Sequence, residues 1–200
     1  MSSELLPHTL DAHPVTGMYN GKFGVWLFLA SEVMLFGALF SAYILLRTHG
    51  DFPTHKETLL NYKIGALNTF LLITSSVTMV MAWASFKLND PGKGKLYLWI
   101  TVLLSCAFLF IKIKFEYMHK IHEDIIPSTS TFYGIYYCMT GLHGLHILGG
   151  VVVMLYFLTV GSGLWNKNQQ QFTNRIECTG LYWHFVDLVW IFLFPVFYLL

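Results

Sequence analysis

The 200-residue sequence predicts an all-α integral membrane protein, a bundle of five transmembrane helices. Charged residues make up only 12% of the chain, about half the usual ~25% of a soluble domain. Hydrophobic residues make up 55%, and mean hydropathy is +0.55. Five stretches also reach the ~20 mostly apolar residues needed to cross hydrocarbon, where backbone groups must bond within their own segment.

The predicted helices cover 23–46, 64–86, 96–115, 132–160 and 177–200. Ahead of them, residues 1–22 read as a polar arm on the cytoplasmic side. Residues 1–21 contain no Lys or Arg, and the apolar run after Lys22 far exceeds the roughly 7–15 residues of a signal-peptide core. The segments between helices carry breakers: GDFPTHKETLLN has Gly50 and Pro53, KLNDPGKGK an Asp-Pro-Gly turn, HKIHEDIIPSTS Pro127, and GSGLWNKNQQQ two glycines. No repeat or low-complexity tract divides the chain, so residues 23–200 are expected to form one domain.

Several classes are excluded at this stage. A net charge of +1 without a basic face argues against nucleic acid as a partner. Cys106, Cys138 and Cys178 each stand alone in apolar text, which is the pattern of small buried residues rather than of a disulfide framework or a CxxC metal site. Orientation is close to balanced. With the N-terminus inside, the inner side holds Lys22, Lys87, Lys93, Lys95, Lys167 and Arg175; the outer side holds Arg47, Lys56, Lys63, Lys112, Lys114 and Lys120. The compact Lys87, Lys93, Lys95 group favours N-inside, and Lys112 and Lys114 read as side chains snorkelling from a helix end. Tyr97, Trp99, Tyr117, Trp165 and Tyr198 fall near helix ends, as an interfacial belt would.

Ionisable groups at membrane depth are costly and mark candidate functional positions. Glu32, in LFLASEVMLFGALF, has only Phe28, Leu29, Leu35 and Phe36 at helical neighbour spacing, so its own helix offers no partner. It reads as a proton-carrying or lipid-contacting acid, or as a carboxyl locking one helix to another. In CMTGLHGLHILGG, His143 and His146 lie about 60° apart on one helical face with Met139, Gly150 and Met154. Two histidines on one helix cannot bracket a haem, and a metal would need further ligands. Hydrogen bonding across helices is the expectation, with Gly150 admitting a close neighbour.

In LYWHFVDLVW, His184 and Asp187 share a face with Glu177 and Gly180, and Asp187 is expected to pair with His184 or with a second chain. FEYMHKIHED contains Glu116-x-x-His119, the spacing of di-iron bundles, but no second copy exists. His119, His122, Glu123 and Asp124 are therefore expected on a solvated face beyond the helix end. Asn68, Ser75, Ser76 and Thr78 on the second helix read as hydrogen-bonding glue between helices.

These segments, SEVMLFGALFSAY (31–43), LNTFLLITSS (67–76), 115–150 with its TG-x-HG-x-H, and LYWHFVDLVWIFLF (181–194), resemble subunit III of haem–copper terminal oxidases, in the five-helix bacterial form. The resemblance covers the chain from about Gly21 onward; longer members carry two additional N-terminal helices. It implies a non-catalytic core subunit of a respiratory cytochrome c oxidase, in a complex that couples oxygen reduction to proton translocation. It implies no cofactor on this chain, with haem and copper in partner subunits I and II, and phospholipid held between its helices. Its part would be to stabilise subunit I and sustain that subunit's proton uptake and oxygen access.

By the same resemblance Glu32 matches the family's buried membrane glutamate, and Glu116, His143, His146, His184 and Asp187 match its polar set. Cytochrome c or a respiratory supercomplex would be met through the partner subunits. The location implied is the bacterial cytoplasmic (inner) membrane, N-terminus inside and C-terminus outside. The alternatives are a quinol oxidase subunit III and a nitric oxide reductase-associated homologue. From other classes come an independent membrane haem or metal protein using His143, His146 and His184, and a proton-coupled transporter using Glu32. The transporter would need broken helices or an inverted repeat, and the sequence shows neither.

Overall fold

In a computed structural model, which describes residues 18–49, 60–123 and 125–199, five helical segments are long and apolar enough to cross a membrane. Helix α1 covers Asn20–His49, α2 Tyr62–Lys87 and α3 Pro91–Ile111. A π-helical turn, Lys112–Tyr117, carries α3 without a break into α4, Met118–His122. Helix α5 covers Thr131–Leu158, a short α6 covers Ser162–Lys167, and α7 covers Gln169–Tyr198.

Four helices begin on a side-chain cap. Asn61, Asp90, Ser130 and Asn168 accept hydrogen bonds from the backbone N–H of Lys63, Lys93, Tyr133 and Gln171, which satisfies donors that the first turn leaves free. These caps explain where the helix ends depart from expectation. The Asp-Pro-Gly stretch, expected as a turn, is the start of α3, with Asp90 as cap and Pro91 in the first helical turn, where its missing N–H costs nothing. The chain reverses just before it at Asn89, which has φ of 59°, a left-handed conformation that Asn tolerates. Helix α7 begins at Gln169 rather than near residue 177, because Asn168 caps a polar first turn ahead of the apolar run. Of the expected arm over 1–22, residues 1–17 lie outside the described residues, and α1 already begins at Asn20.

Helix α7 is the hub. It packs against α1, α2 and α5, while α2 and α3 form an antiparallel hairpin and α3 also lies on α5. Gly150 fills the role expected of it: a Cβ there would sit 2.7 Å from the Trp183 ring, so only glycine lets α5 and α7 meet at this depth. Gly65 does the same for α2, where a Cβ would lie 2.9 Å from the Tyr198 ring. Large apolar side chains point outward all along the spans, among them Met34, Phe70, Leu103 and Leu145, as they do when the surrounding solvent is hydrocarbon.

Three expectations change here. Cys106 and Cys138 face outward rather than inward. Trp165 and Tyr198 are packed in the bundle instead of standing in an interfacial belt. The segment around His119 and His122 is helical to His122, and Asp124 lies outside the described residues.

Candidate functional site

The ionisable side chains gather in two main places in the bundle. The first lies between α1, α5 and α7. Glu32 and His146 meet across α1 and α5, with Oε2 and Nε2 3.0 Å apart. The other ring nitrogen, Nδ1, lies 2.8 Å from the Leu142 carbonyl oxygen. A carbonyl only accepts, so Nδ1 carries a proton. Nε2 then either accepts from a protonated Glu32 carboxyl or, as imidazolium, donates to the carboxylate. In both arrangements the pair holds one shared proton and is neutral overall, the arrangement a membrane interior tolerates best. Phe36 packs edge-on to the His146 ring at 5.4 Å, and the Tyr182 hydroxyl donates to the His146 carbonyl at 2.8 Å.

On its other side α7 is fastened to α2. The indole N–H of Trp183 donates to Ser75 Oγ at 3.1 Å, and that of Trp190 to Thr69 Oγ1 at 3.0 Å. His184 Nδ1 pairs with Ser76 Oγ at 2.5 Å. Thr78 and Thr101 bond across α2 and α3 at 2.8 Å. Ser75, Ser76 and Thr78 therefore join helices as expected, whereas the Asn68 amide, fully buried, makes no hydrogen bond among the described residues. Asp187 departs from expectation. His184 turns to Ser76, and both Asp187 carboxyl oxygens are buried without a hydrogen-bond partner among the described residues. His143 departs as well. It is buried flat against Trp190, ring centres 5.2 Å apart, with Phe108 edge-on at 6.0 Å, and neither ring nitrogen is bonded.

The second gathering is near the end of α3. The π turn directs Lys112 and Glu116 into the bundle, where they form an ion pair. The ammonium also donates to the hydroxyls of Tyr136 at 3.1 Å and Tyr198 at 2.7 Å. Both tyrosines donate in turn to the Glu116 carboxylate, at 2.8 and 2.6 Å. Trp190 lies 5.0 Å from the ammonium and adds a cation–π contact. Lys112 was expected as a snorkelling side chain, yet it and Glu116, at 4% exposure each, are interior. A buried carboxylate and ammonium survive only when paired and fully hydrogen-bonded, and this cluster meets that condition. Lys112-x-x-x-Glu116 is the sequence signal for it, an ion-pair spacing inside apolar text.

A third contact fastens the start of α1. Lys22 and Glu177 pair at 2.6 Å, and the Tyr19 hydroxyl donates to the Asn174 carbonyl at 2.8 Å. Burial, followed by the neighbouring Cys178 thiol, pushes the Tyr19 hydroxyl pKa up, which keeps it a donor. The three histidines proposed as ligands thus face three different neighbours: Trp190, Glu32 and Ser76. Among the described residues no group of three or more His, Cys, Asp or Glu side chains is placed to hold a metal.

Fold and site together define a multi-pass helical membrane subunit whose polar side chains largely join its own helices. The model of the family described as cytochrome c oxidase subunit III matches residues 8–200. The chain is 36% identical over 198 residues to a cytochrome c oxidase subunit 3 of Alkalihalophilus pseudofirmus, covering 96% of this chain and 93% of that one. It is 34% identical over 202 residues to the cytochrome c oxidase subunit 3 of Bacillus sp. PS3, covering 100% and 95%. A cytochrome bo(3) ubiquinol oxidase subunit 3 of Pseudomonas aeruginosa is 32% identical over 210 residues, covering 100% and 99%. The chain belongs to the cytochrome c oxidase subunit III family. It is a multi-pass membrane protein, a subunit III of a haem–copper oxidase, and associates as such with other oxidase subunits.

Proposed function

We propose that this chain braces the catalytic subunit of a cytochrome c oxidase, binding subunits I and II and holding phospholipid between its helices, while haem and copper reside in those partners. The observation that carries the reading is the set of bonds fastening α7 to α2 and α5 to α1: Trp183–Ser75, His184–Ser76, Trp190–Thr69 and Glu32–His146. They hold α1, α2, α5 and α7 together at the depth where a neighbouring membrane subunit would lie. Within it Glu32 and His146 hold one exchangeable proton between them, which suits a lock beside a proton-handling partner. Purification through a tag on this chain is expected to bring down a haem-bearing catalytic subunit and a second, electron-accepting subunit. Recovery of the folded chain alone under conditions that preserve the membrane complex would contradict the reading.

Relatives of similar identity bear the names of cytochrome c and ubiquinol oxidases, so a quinol oxidase subunit III is the second reading. The complex is expected to consume oxygen with reduced cytochrome c as donor; oxygen uptake with a quinol alone would select the alternative. Placement in the cytoplasmic membrane with the N-terminus inside is part of the proposal. Lys112 and Lys120 are buried in the bundle and so drop out of the outer loop count. That leaves six cations at the inner ends and loops against four at the outer ones, in the sense of the positive-inside rule.

A further inference from the structure

Helices α2 and α7 stand apart beside Gly180 and border a cavity of about 220 Å³. A Cβ at Gly180 would come no nearer than 3.7 Å to Met79, an ordinary contact, so this glycine leaves room where Gly150 permits a tight crossing. Met79, Val80, Trp83 and Leu181 make the wall mostly apolar, and Val80 is exposed on the outer surface of its span. Two side chains bring ionisable groups to it, Glu177 and His184, seven residues apart on one face of α7. That separation is two helical turns, about 10 Å.

The two ends offer different chemistry. Glu177 pairs with Lys22 through Oε1, and its carboxylate, which only accepts, has Oε2 to offer a ligand. His184 is held through Nδ1 by Ser76, which leaves Nε2 for the cavity, as donor or acceptor according to the tautomer. A ligand that reaches this depth arrives through hydrocarbon and therefore has an apolar body. The carboxylate repels a phosphate or a fatty acid. A molecule with a single hydroxyl would serve one end only. A flat ring with an oxygen at each end serves both, since two hydrogen bonds of about 2.8 Å added to the width of one ring fill a span of about 10 Å. Because the Glu177 carboxylate cannot donate, the oxygen beside it must carry the hydrogen, which selects a hydroquinone over the oxidised quinone. A second, more polar cavity of about 530 Å³, with Gln170 and Thr173 in its wall, shares Trp83 and Glu177 and lies toward the start of α7. The apolar tail of such a ligand therefore leaves on the other side, past Val80.

We propose that the α2–α7 cavity binds the ring of a membrane quinol in its reduced form, one hydroxyl donating to Glu177 Oε2 and the other bonded to His184 Nε2, with the tail passing Val80 into the bilayer. The site binds and transfers no electron, and it requires only that the chain span a membrane, whichever donor the oxidase uses. Its test uses the full chain alone in phosphatidylcholine nanodiscs, equilibrated without oxygen with decylubiquinol or with decylubiquinone. Bound ligand is extracted and counted against empty discs. Decylubiquinol is expected to saturate at one per chain, and decylubiquinone to bind about tenfold more weakly for want of the charge-assisted hydrogen bond to Glu177. Glu177→Gln gives up only a partly exposed ion pair and supplies an amide that can donate. It is expected to weaken decylubiquinol about tenfold and to bring the two forms within about twofold of each other. Gly180→Val, whose added carbons enter the cavity, is expected to abolish saturable binding. Equal binding of the two forms by the native chain, or an unchanged preference in Glu177→Gln, would overturn the proposal. So would the absence of saturable binding in the native chain, the result expected of a cavity that takes the phosphatidylcholine of the disc instead. Co-purification of oxidase subunits is a separate measurement, so failure here leaves the functional reading standing.

Discussion

The Glu32–His146 pair and the Lys112–Glu116 cluster solve the same problem, an ionisable group away from water, in different ways. The first is one acid and one base from two helices, about 13–14% exposed, sharing a proton so that no net charge remains. The second is a full ion pair at about 4–5% exposure, held by two tyrosine hydroxyls and lying over Trp190. A shared proton is adjustable, because it can reside on either partner without building net charge. An ion cluster is not, because removing any member strands a charge. The contrast suggests an adaptable joint between α1 and α5 and a rigid clasp tying α3, α5 and α7.

The largest effect expected from breaking this contrast is in the clasp. Glu116→Leu leaves the Lys112 ammonium buried without its counter-charge and the Tyr136 and Tyr198 hydroxyls without their acceptor, and should destabilise the chain by about 3–5 kcal/mol, read as lost thermal stability in detergent. The double change Lys112→Met with Glu116→Leu should recover much of that loss, since a pair replaced by apolar side chains of similar size is often neutral. If the double variant were as unstable as the single one, the clasp would be held by more than charge pairing. Next comes the close crossing of α5 and α7. Gly150→Val forces a side chain into the Trp183 ring and should cost about 1–3 kcal/mol in the same melting experiment.

At the joint the expected effect is smaller. Glu32→Gln keeps a donor for His146 Nε2 while removing the exchangeable proton, so stability should change by less than about 1 kcal/mol. Assembly and short-term oxygen uptake should stay near native. A carboxyl or carboxylate infrared band should disappear with the substitution, and outright loss of oxygen chemistry would make Glu32 catalytic. Smallest of all is Lys22→Met. Its pair with Glu177 is about one-quarter exposed on each side, and surface pairs of that kind contribute below about 1 kcal/mol.

Length and apolarity made the five spans legible, because hydrocarbon imposes a strict minimum on a helix. Their ends were harder. Polar first turns such as Gln169–Phe172 and Pro91–Lys95 carry no hydropathy signal, and only the caps Asn168 and Asp90 mark them. The residues of the candidate site were visible one at a time, since Glu32 and His146 each stand out in apolar text. Their pairing was not, because it depends on which helices touch. Both lie about twelve residues from the same end of their antiparallel helices, the same depth at a rise of about 1.5 Å per residue. Depth matching was the available clue. The clasp was hidden for another reason: Lys112 and Glu116 are placed by a π turn, which no hydrophobic period reports. His143 and Asp187 look alike in sequence to their bonded neighbours His146 and His184, yet both lack hydrogen-bond partners among the described residues. Only packing separates them.

The central claim is that this chain braces an oxidase without carrying its redox chemistry. The most direct test is the optical spectrum of the complex purified through this chain, taken before and after the partner subunits are stripped away. The intact complex should show the Soret band of haem, and the isolated, folded chain should show none and bind no stoichiometric iron or copper. A Soret band on the isolated chain, lost on replacing His143, His146 or His184 by Ala, would contradict the account.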